Sequence, residues 1–408
     1  MKEIRKIEKE LLDAVFNHFK GSKDCKGLAS YNLNIDAPEK SLIAAIKKLI
    51  KADKISLLSA EHDANPHIVR FGFVPPKEQI SFLQRNGFAK SFCLYPSANY
   101  LIENVKPEFT PKYPFLYMLQ TGCPQYKACY FEWGVLYKYF SDPRYKFHFS
   151  DYLGKIESTK DINEESYINL QTFGVGKDAD GFRVVVAFPK DLIKMSSASQ
   201  IEWHSKMVPN QEQCKILKSY EKNLFEGCWD FPQTVFRSLL QEMTNINQLT
   251  NKIWNVALFR EEFEDKPVDF DMIYIPTRKA YMDYVLLLEK IVVSNINESF
   301  FDTINWPRSD QDGRAKGTLR CLKEFLQKVN PDVEIEITSP LREVRKQRQN
   351  PAHKIEVNFY YLEFMNQQHE LTVQVFNSLN LLRKLLQTHP KGRGLEIKFN
   401  NTEKYIIP

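Results

Sequence analysis

Between positions 4 and 19 the apolar residues Ile4, Ile7, Leu11, Leu12, Val15, Phe16 and Phe19 recur at steps of three and four, with charges between them. A helix of 3.6 residues per turn gathers such positions on one side, which predicts a helix over 2–20, ended by Gly21-Ser22. A second stripe, Leu42, Ile43, Ile46, Leu49 and Ile50, follows Ala37-Pro38 and leaves Lys47, Lys48 and Lys51 on the opposite side. After Asp53-Lys54 the period shortens. Residues 55–58 and 67–71 read as two strands of a hairpin around the turn-rich Asp63-Ala64-Asn65-Pro66.

Pro75-Pro76 marks a join, beyond which Tyr, Phe and short turns dominate to about 225. Residues 182–188 and 168–173 alternate like strands and are joined through a Gly-containing turn, the pattern of a hairpin. Residues 131–140 read as an amphipathic helix. From 232 the pattern is helical: one helix near 232–259 with Val235, Leu239, Leu240 and Met243 on a stripe, then others near 277–295 and 315–329. Residues 333–337 alternate like a short strand. A long helix is expected from about Asn350, carrying Leu371, Val375, Phe376, Leu379, Leu382, Leu385 and Leu386. The expected fold is therefore α+β and multidomain: residues 1–75, an α+β domain of unknown role over 76–225, and an all-α helical bundle over 226–408. Helix, short element, helix and hairpin in the first part resemble a winged helix-turn-helix.

Composition narrows the class. The hydrophobic fraction is 43% with 29 Phe and 19 Tyr, enough to build cores and to exclude a disordered chain. The most apolar stretch, residues 284–288, stops at Glu289-Lys290, far short of the ~20 residues that span a bilayer. No apolar signal core follows Met1, so a cytoplasmic protein without a membrane partner is expected. Seven cysteines stand at scattered positions with no C-x-x-C, which favours reduced, mostly buried thiols. The net charge of +5 is uneven. Residues 1–54 hold 12 Lys/Arg against 8 Asp/Glu, and 342–408 hold 11 against 6. Two basic ends flank an acidic middle.

The densest charge is Leu341-Arg342-Glu343-Val344-Arg345-Lys346-Gln347-Arg348-Gln349, followed at once by Asn350-Pro351-Ala352-His353-Lys354. Asn-Pro reads as a helix start, with Asn350 as N-cap and Pro351 at the first helical position. His353 would then lie in the first turn, where the helix dipole disfavours the imidazolium and leaves a neutral base. Arg348 would fold over that terminus, making it a phosphate site.

Arg348-Gln349-Asn350-Pro351-Ala352-His353 resembles the R-x(4–6)-H motif of the HEPN superfamily, helical bundles that are often metal-independent ribonucleases. The resemblance covers roughly 230–390. The residue after the arginine is Gln349, with Asn350 one step later, where active families often place Asn, Asp or His directly. The resemblance implies Arg348, His353 and Asn350 as catalytic residues and a homodimer in which two motifs face each other. It further implies an RNA substrate, no metal and no cofactor, and a role as a toxin or anti-phage effector. Arg342, Arg345, Lys346 and Lys354, together with Lys47, Lys48 and Lys51, are the candidate nucleic-acid contacts.

Blander readings stand beside these. A basic loop entering a helix needs no catalytic role. Arg383 to His389 matches the spacing as well, at a helix end before Pro390. Trp203-His204 and Glu132-Trp133 fit core packing, and the acidic run 261–265 fits an exposed loop. No nucleotide-cradling, dinucleotide-binding or hydrolase-elbow motif occurs. The alternative function is a DNA-binding regulator whose N-terminal part contacts DNA or a regulatory protein and whose helical domain only dimerises.

Overall fold

The computed structural model describes residues 2–104, 112–150, 152–228, 234–267, 269–349 and 357–397. The chain forms two compact units, Met1–Glu226 and Gly227–Pro408. The first mixes helices with two antiparallel sheets and the second is helical.

The first unit opens with α1 (Lys2–Gly21) and α2 (Glu39–Lys51), whose stripes meet as the sequence pattern requires. Ile7, Leu11 and Val15 share one core with Leu42, Ile46, Leu49 and Ile50. That core rests on a sheet in the order β1-β3-β2, from β1 (Leu28–Ala29), β2 (Ile55–Ser59) and β3 (Phe92–Pro96). The central strand is β3, entirely buried, with Leu94 opposite both Leu57 and Leu28.

This corrects the expected hairpin. Residues 67–71 are not a strand, and α3 (Pro76–Asn86) lies between β2 and its true partner. The backbone of that stretch has other partners. Val69 N–H donates to Gln125 Oε1 at 2.9 Å, and the Val69 carbonyl accepts from Tyr126 N–H. The sheet therefore reaches past position 75 for its middle strand.

After α4 (Ala98–Asn104) and α5 (Pro114–Gln120) comes a six-stranded antiparallel sheet. It contains β4 (Cys129–Glu132), β5 (Tyr145–Ser150), β6 (Leu153–Ser158), β7 (Asn169–Lys177) and β8 (Arg183–Ala187). Their order is β4-β8-β7-β6-β5, with β9 (Lys215–Ile216) on β7. The β7–β8 hairpin matches the sequence pattern. Its turn is closed by Asp178, whose Oδ1 accepts from the N–H groups of Asp180 and Phe182. Gly181 takes φ +84° there, a conformation costly for other residues. The helix expected over 131–140 is mostly something else. Phe131 pairs with Val185 inside β4, residues 133–136 form a 3₁₀ turn, and only α6 (Tyr137–Ser141) is α-helical. Helices α7 (Pro189–Leu192), α8 (Ser197–Ser205) and α9 (Lys218–Glu226) complete the unit.

The second unit contains α10 (Val235–Trp254), α11 (Arg278–Leu288), α12 (Glu298–Thr303), α13 (Thr318–Val329), α14 (Pro331–Gln349) and α15 (Phe364–Thr388). Helix α15 packs on α10 and α14, α13 packs on α14, and α11 touches both α14 and α15. A buried ion pair joins α10 to α15: Arg383 Nε donates to Glu242 Oε2 at 2.6 Å, and Asn380 donates to the other carboxylate oxygen at 3.1 Å. Arg383 thus has a structural partner, separate from the His389 that its spacing suggested.

Two expectations fail here. The strand expected at 333–337 belongs to α14. Glu334, Ile337, Thr338, Leu341 and Val344 are its buried side, at steps of three and four, whereas Ile335 is 69% exposed. The alternation was an accident of one helical turn. The long last helix begins at Phe364 and not near Asn350, and Asn350-Pro351 lie outside the described residues. The preceding backbone is committed to α11. The Phe359 carbonyl accepts from Arg278 N–H at 3.0 Å, Tyr361 N–H donates to the Pro276 carbonyl at 2.9 Å, and Asn358 Oδ1 accepts from Lys279 N–H at 2.9 Å. The bonds from Arg278 and Lys279 satisfy first-turn donors of α11 that a helix leaves open. Among the described residues no helix is long and apolar enough to cross a membrane.

Candidate functional site

Arg348 lies in the last turn of α14, a place that suits a cation because helix carbonyls end there. It follows Leu341 and Val344 by seven and four positions, so it stands at the exposed end of the buried stripe. Its guanidinium therefore turns toward the bundle, where Nη1 lies 3.8 Å from Glu289 Oε1. The Glu289 carboxylate is almost fully buried, while the Arg348 side chain remains 46% exposed. One edge of the arginine faces the buried carboxylate across an ion-pair contact longer than a hydrogen bond, and the other edge is open.

Glu289 opens a π-helical turn, Glu289–Val293, that continues α11. The turn closes with Ser294 N–H on the Glu289 carbonyl, and the Ser294 hydroxyl donates to the carboxylate at 3.0 Å. Wide helical turns of this kind often mark functional positions. One residue before Arg348, Gln347 accepts from the Tyr281 hydroxyl at 2.7 Å and donates to Glu343 at 3.1 Å. Tyr281 stacks on Phe364 with ring centroids 5.3 Å apart. Burial pushes its hydroxyl up to about 12, so it stays a donor. The end of α14 is thus pinned by two side chains of α11 and its π turn.

The other cations of α14 point elsewhere. Arg342 and Lys346 are exposed and Arg345 is half-buried, all on a neighbouring face. Lys346 lies 3.8 Å from Glu343, an exposed contact of little energetic weight. Asn350, His353 and Lys354 fall within 350–356, outside the described residues.

In the first unit, Lys48 donates to Glu8 of α1 at 2.7 Å, Lys47 is half-buried and Lys51 is exposed in the last turn of α2. Of the two residue pairs expected to be core, only the tryptophans are buried, while His204 and Glu132 are exposed. Trp203 is fully buried and donates to the Tyr139 hydroxyl at 3.0 Å, and Trp133 is 3% exposed. His204 sits edge-on to Phe115, and Glu132 lies at the surface beside Lys206. The acidic run is exposed at Glu261, Glu262, Glu264 and Asp265, with Glu262 accepting from Asn247. Among the described residues, no three His, Cys, Asp or Glu side chains gather where a metal ion would fit. The cysteines form no disulfide among the described residues and are buried at 25, 93, 129, 214 and 321 and exposed at 228.

Sequence reasoning missed Glu289, Ser294 and Tyr281. The only signal was the Glu289-Lys290 interruption of an apolar run, which reads as the end of a stripe. Comparison with protein families, characterised proteins and solved structures finds no match to this chain.

Proposed function

We propose that the C-terminal unit is a metal-independent endoribonuclease of HEPN type, with Arg348, Asn350 and His353 in its site. The observation that carries the reading is the anchoring of Arg348. A guanidinium held on one edge by a buried carboxylate, five positions before a histidine, presents its remaining donors to a phosphate. Arg342, Arg345 and Lys346 on the adjacent face add the positive field a polyanion needs.

The chemistry follows from the residue types. The ribose 2′-oxygen attacks the adjacent phosphorus, its proton passes to an imidazole, and the bond from phosphorus to the 5′-oxygen breaks. The leaving 5′-oxygen takes up a proton. The products are a 2′,3′-cyclic phosphate and a 5′-hydroxyl, and DNA is spared for want of the 2′-OH. Arg348 stabilises the charge that builds on the phosphorane oxygens. One histidine does not both take and deliver a proton in a single step, so the site is completed by the motif of a second copy in a homodimer. An enzyme of this kind serves as a toxin or anti-phage effector.

Full-length protein should therefore cleave single-stranded RNA to those end groups in the presence of EDTA. Arg348→Ala and His353→Ala should each lower the rate by at least about a hundredfold. Cleavage by both variants at the wild-type rate would refute the reading. A DNA-binding regulator has less support, because Lys48 is occupied by Glu8 and the hairpin expected after α2 does not form.

A further inference from the structure

The first unit holds a cavity of about 230 Å³ between α1, the β2–β3 sheet edge and the residues around α4 and α5. One wall is apolar and aromatic, made by Phe19, Val69, Phe73, Tyr95 and Leu101. Phe73 and Tyr95 form an edge-to-face pair with centroids 5.3 Å apart. The polar side is made by Asp53, Ser56, Ser97, Asn99 and Gln125.

Those polar groups differ in what they have left to offer. Gln125 is used on both ends, accepting from Val69 N–H and donating to the Cys25 carbonyl at 2.8 Å. The Ser97 hydroxyl donates to the Asp53 carbonyl and accepts from Tyr100 N–H. Tyr95 donates to the Pro66 carbonyl, so it presents its ring rather than its hydroxyl. Asn99 gives its amide N–H to Asp53 Oδ2 at 2.6 Å, which leaves the Asn99 carbonyl and Asp53 Oδ1 as acceptors. Asp53 stands just past the C-terminal end of α2, where helix carbonyls make a carboxylate unwelcome. Among the described residues no lysine or arginine pairs with it. Among the described residues, none that lines the cavity is cationic.

We propose that this cavity binds a small organic amine carrying one planar ring. The ring packs on Phe73 and the edge of Tyr95, and the ammonium group meets Asp53 Oδ1, the Asn99 carbonyl and the Ser56 hydroxyl. An aromatic wall also favours a cation over an anion. Size sets the upper limit. An apolar cavity of ~150 Å³ takes benzene, so this one accepts about nine or ten heavy atoms. A nucleotide or other phosphorylated ligand is excluded by charge as well as by size. The proposal concerns the first unit alone and is independent of the ribonuclease reading.

The test is calorimetric titration of full-length protein with phenethylamine, with phenylacetate as an anionic match in shape and ethylamine as the ringless amine. One saturable site is expected, with Kd on the order of 1 mM or tighter. Asp53→Asn, a change at an exposed position, should weaken it at least about tenfold. Phenylacetate and ethylamine should give no saturable heat. The proposal is overturned by absent saturation up to about 10 mM phenethylamine. It is equally overturned by unchanged affinity in Asp53→Asn, or by either control compound binding as tightly as phenethylamine.

Discussion

Glu289 is 2% exposed and sits in a π-helical turn, and a carboxylate in such a place needs partners that can meet its charge. It has the Ser294 hydroxyl and the Arg348 guanidinium. Glu289→Gln keeps the shape and removes the charge that draws Arg348 inward. It should lower RNA cleavage roughly ten- to hundredfold, through misplacement of the arginine rather than loss of a reacting group. A rate equal to wild type in a variant that melts normally would show that the pair is only structural. A second residue-scale expectation concerns the thiols. Burial pushes Cys25, Cys93 and Cys129 up to about 12, whereas Cys228 is exposed. Since the thiolate is the nucleophile, iodoacetamide at pH 8 should label Cys228 first and leave those three untouched until the chain unfolds. Peptide mass mapping reads this directly.

At the scale of elements, the Glu242–Arg383 pair ties α10 to α15, with side chains only 8% and 4% exposed. Removing one partner strands a buried charge, so Glu242→Ala should cost about 3–5 kcal/mol in urea denaturation. The double change Glu242→Leu with Arg383→Leu should cost far less, because no charge is left behind. Gly174→Ala should be destabilising too, by about 1–3 kcal/mol, since its Cβ would lie 2.0 Å from the Tyr220 ring. Legibility in the sequence follows the same physics. The helices α1, α2 and α13 were readable because one side of each meets a core and the other meets water, and α10 because its apolar stripe persists although most of the helix is buried. The β7–β8 hairpin was readable from its alternation and turn. The strand β3 was not, since it is buried on both faces and its partner β2 lies more than thirty positions away across a helix. Residues 333–337 alternated over too short a window to separate a strand from a helical turn. The start of α15 was set by bonds to α11, a tertiary fact with no local trace.

For the whole molecule, two compact units divide at Glu226, and the two candidate sites fall in different units. The arginine of the motif, its basic neighbours and its length of spacing were visible in the sequence. The carboxylate that anchors it was not, because Glu289 and Arg348 meet only when α11 and α14 pack. A site completed by a second copy requires a dimer, so sedimentation at the concentrations that support cleavage should give twice the chain mass of 47.9 kDa. The most direct measurement is cleavage of a labelled single-stranded RNA by full-length protein in EDTA, compared with Arg348→Ala and His353→Ala, with product ends identified by mass. The expected result is 2′,3′-cyclic phosphate and 5′-hydroxyl ends from wild type, and almost none from either variant. Cleavage that stops in EDTA, leaves other ends, or continues undiminished in both variants would contradict it.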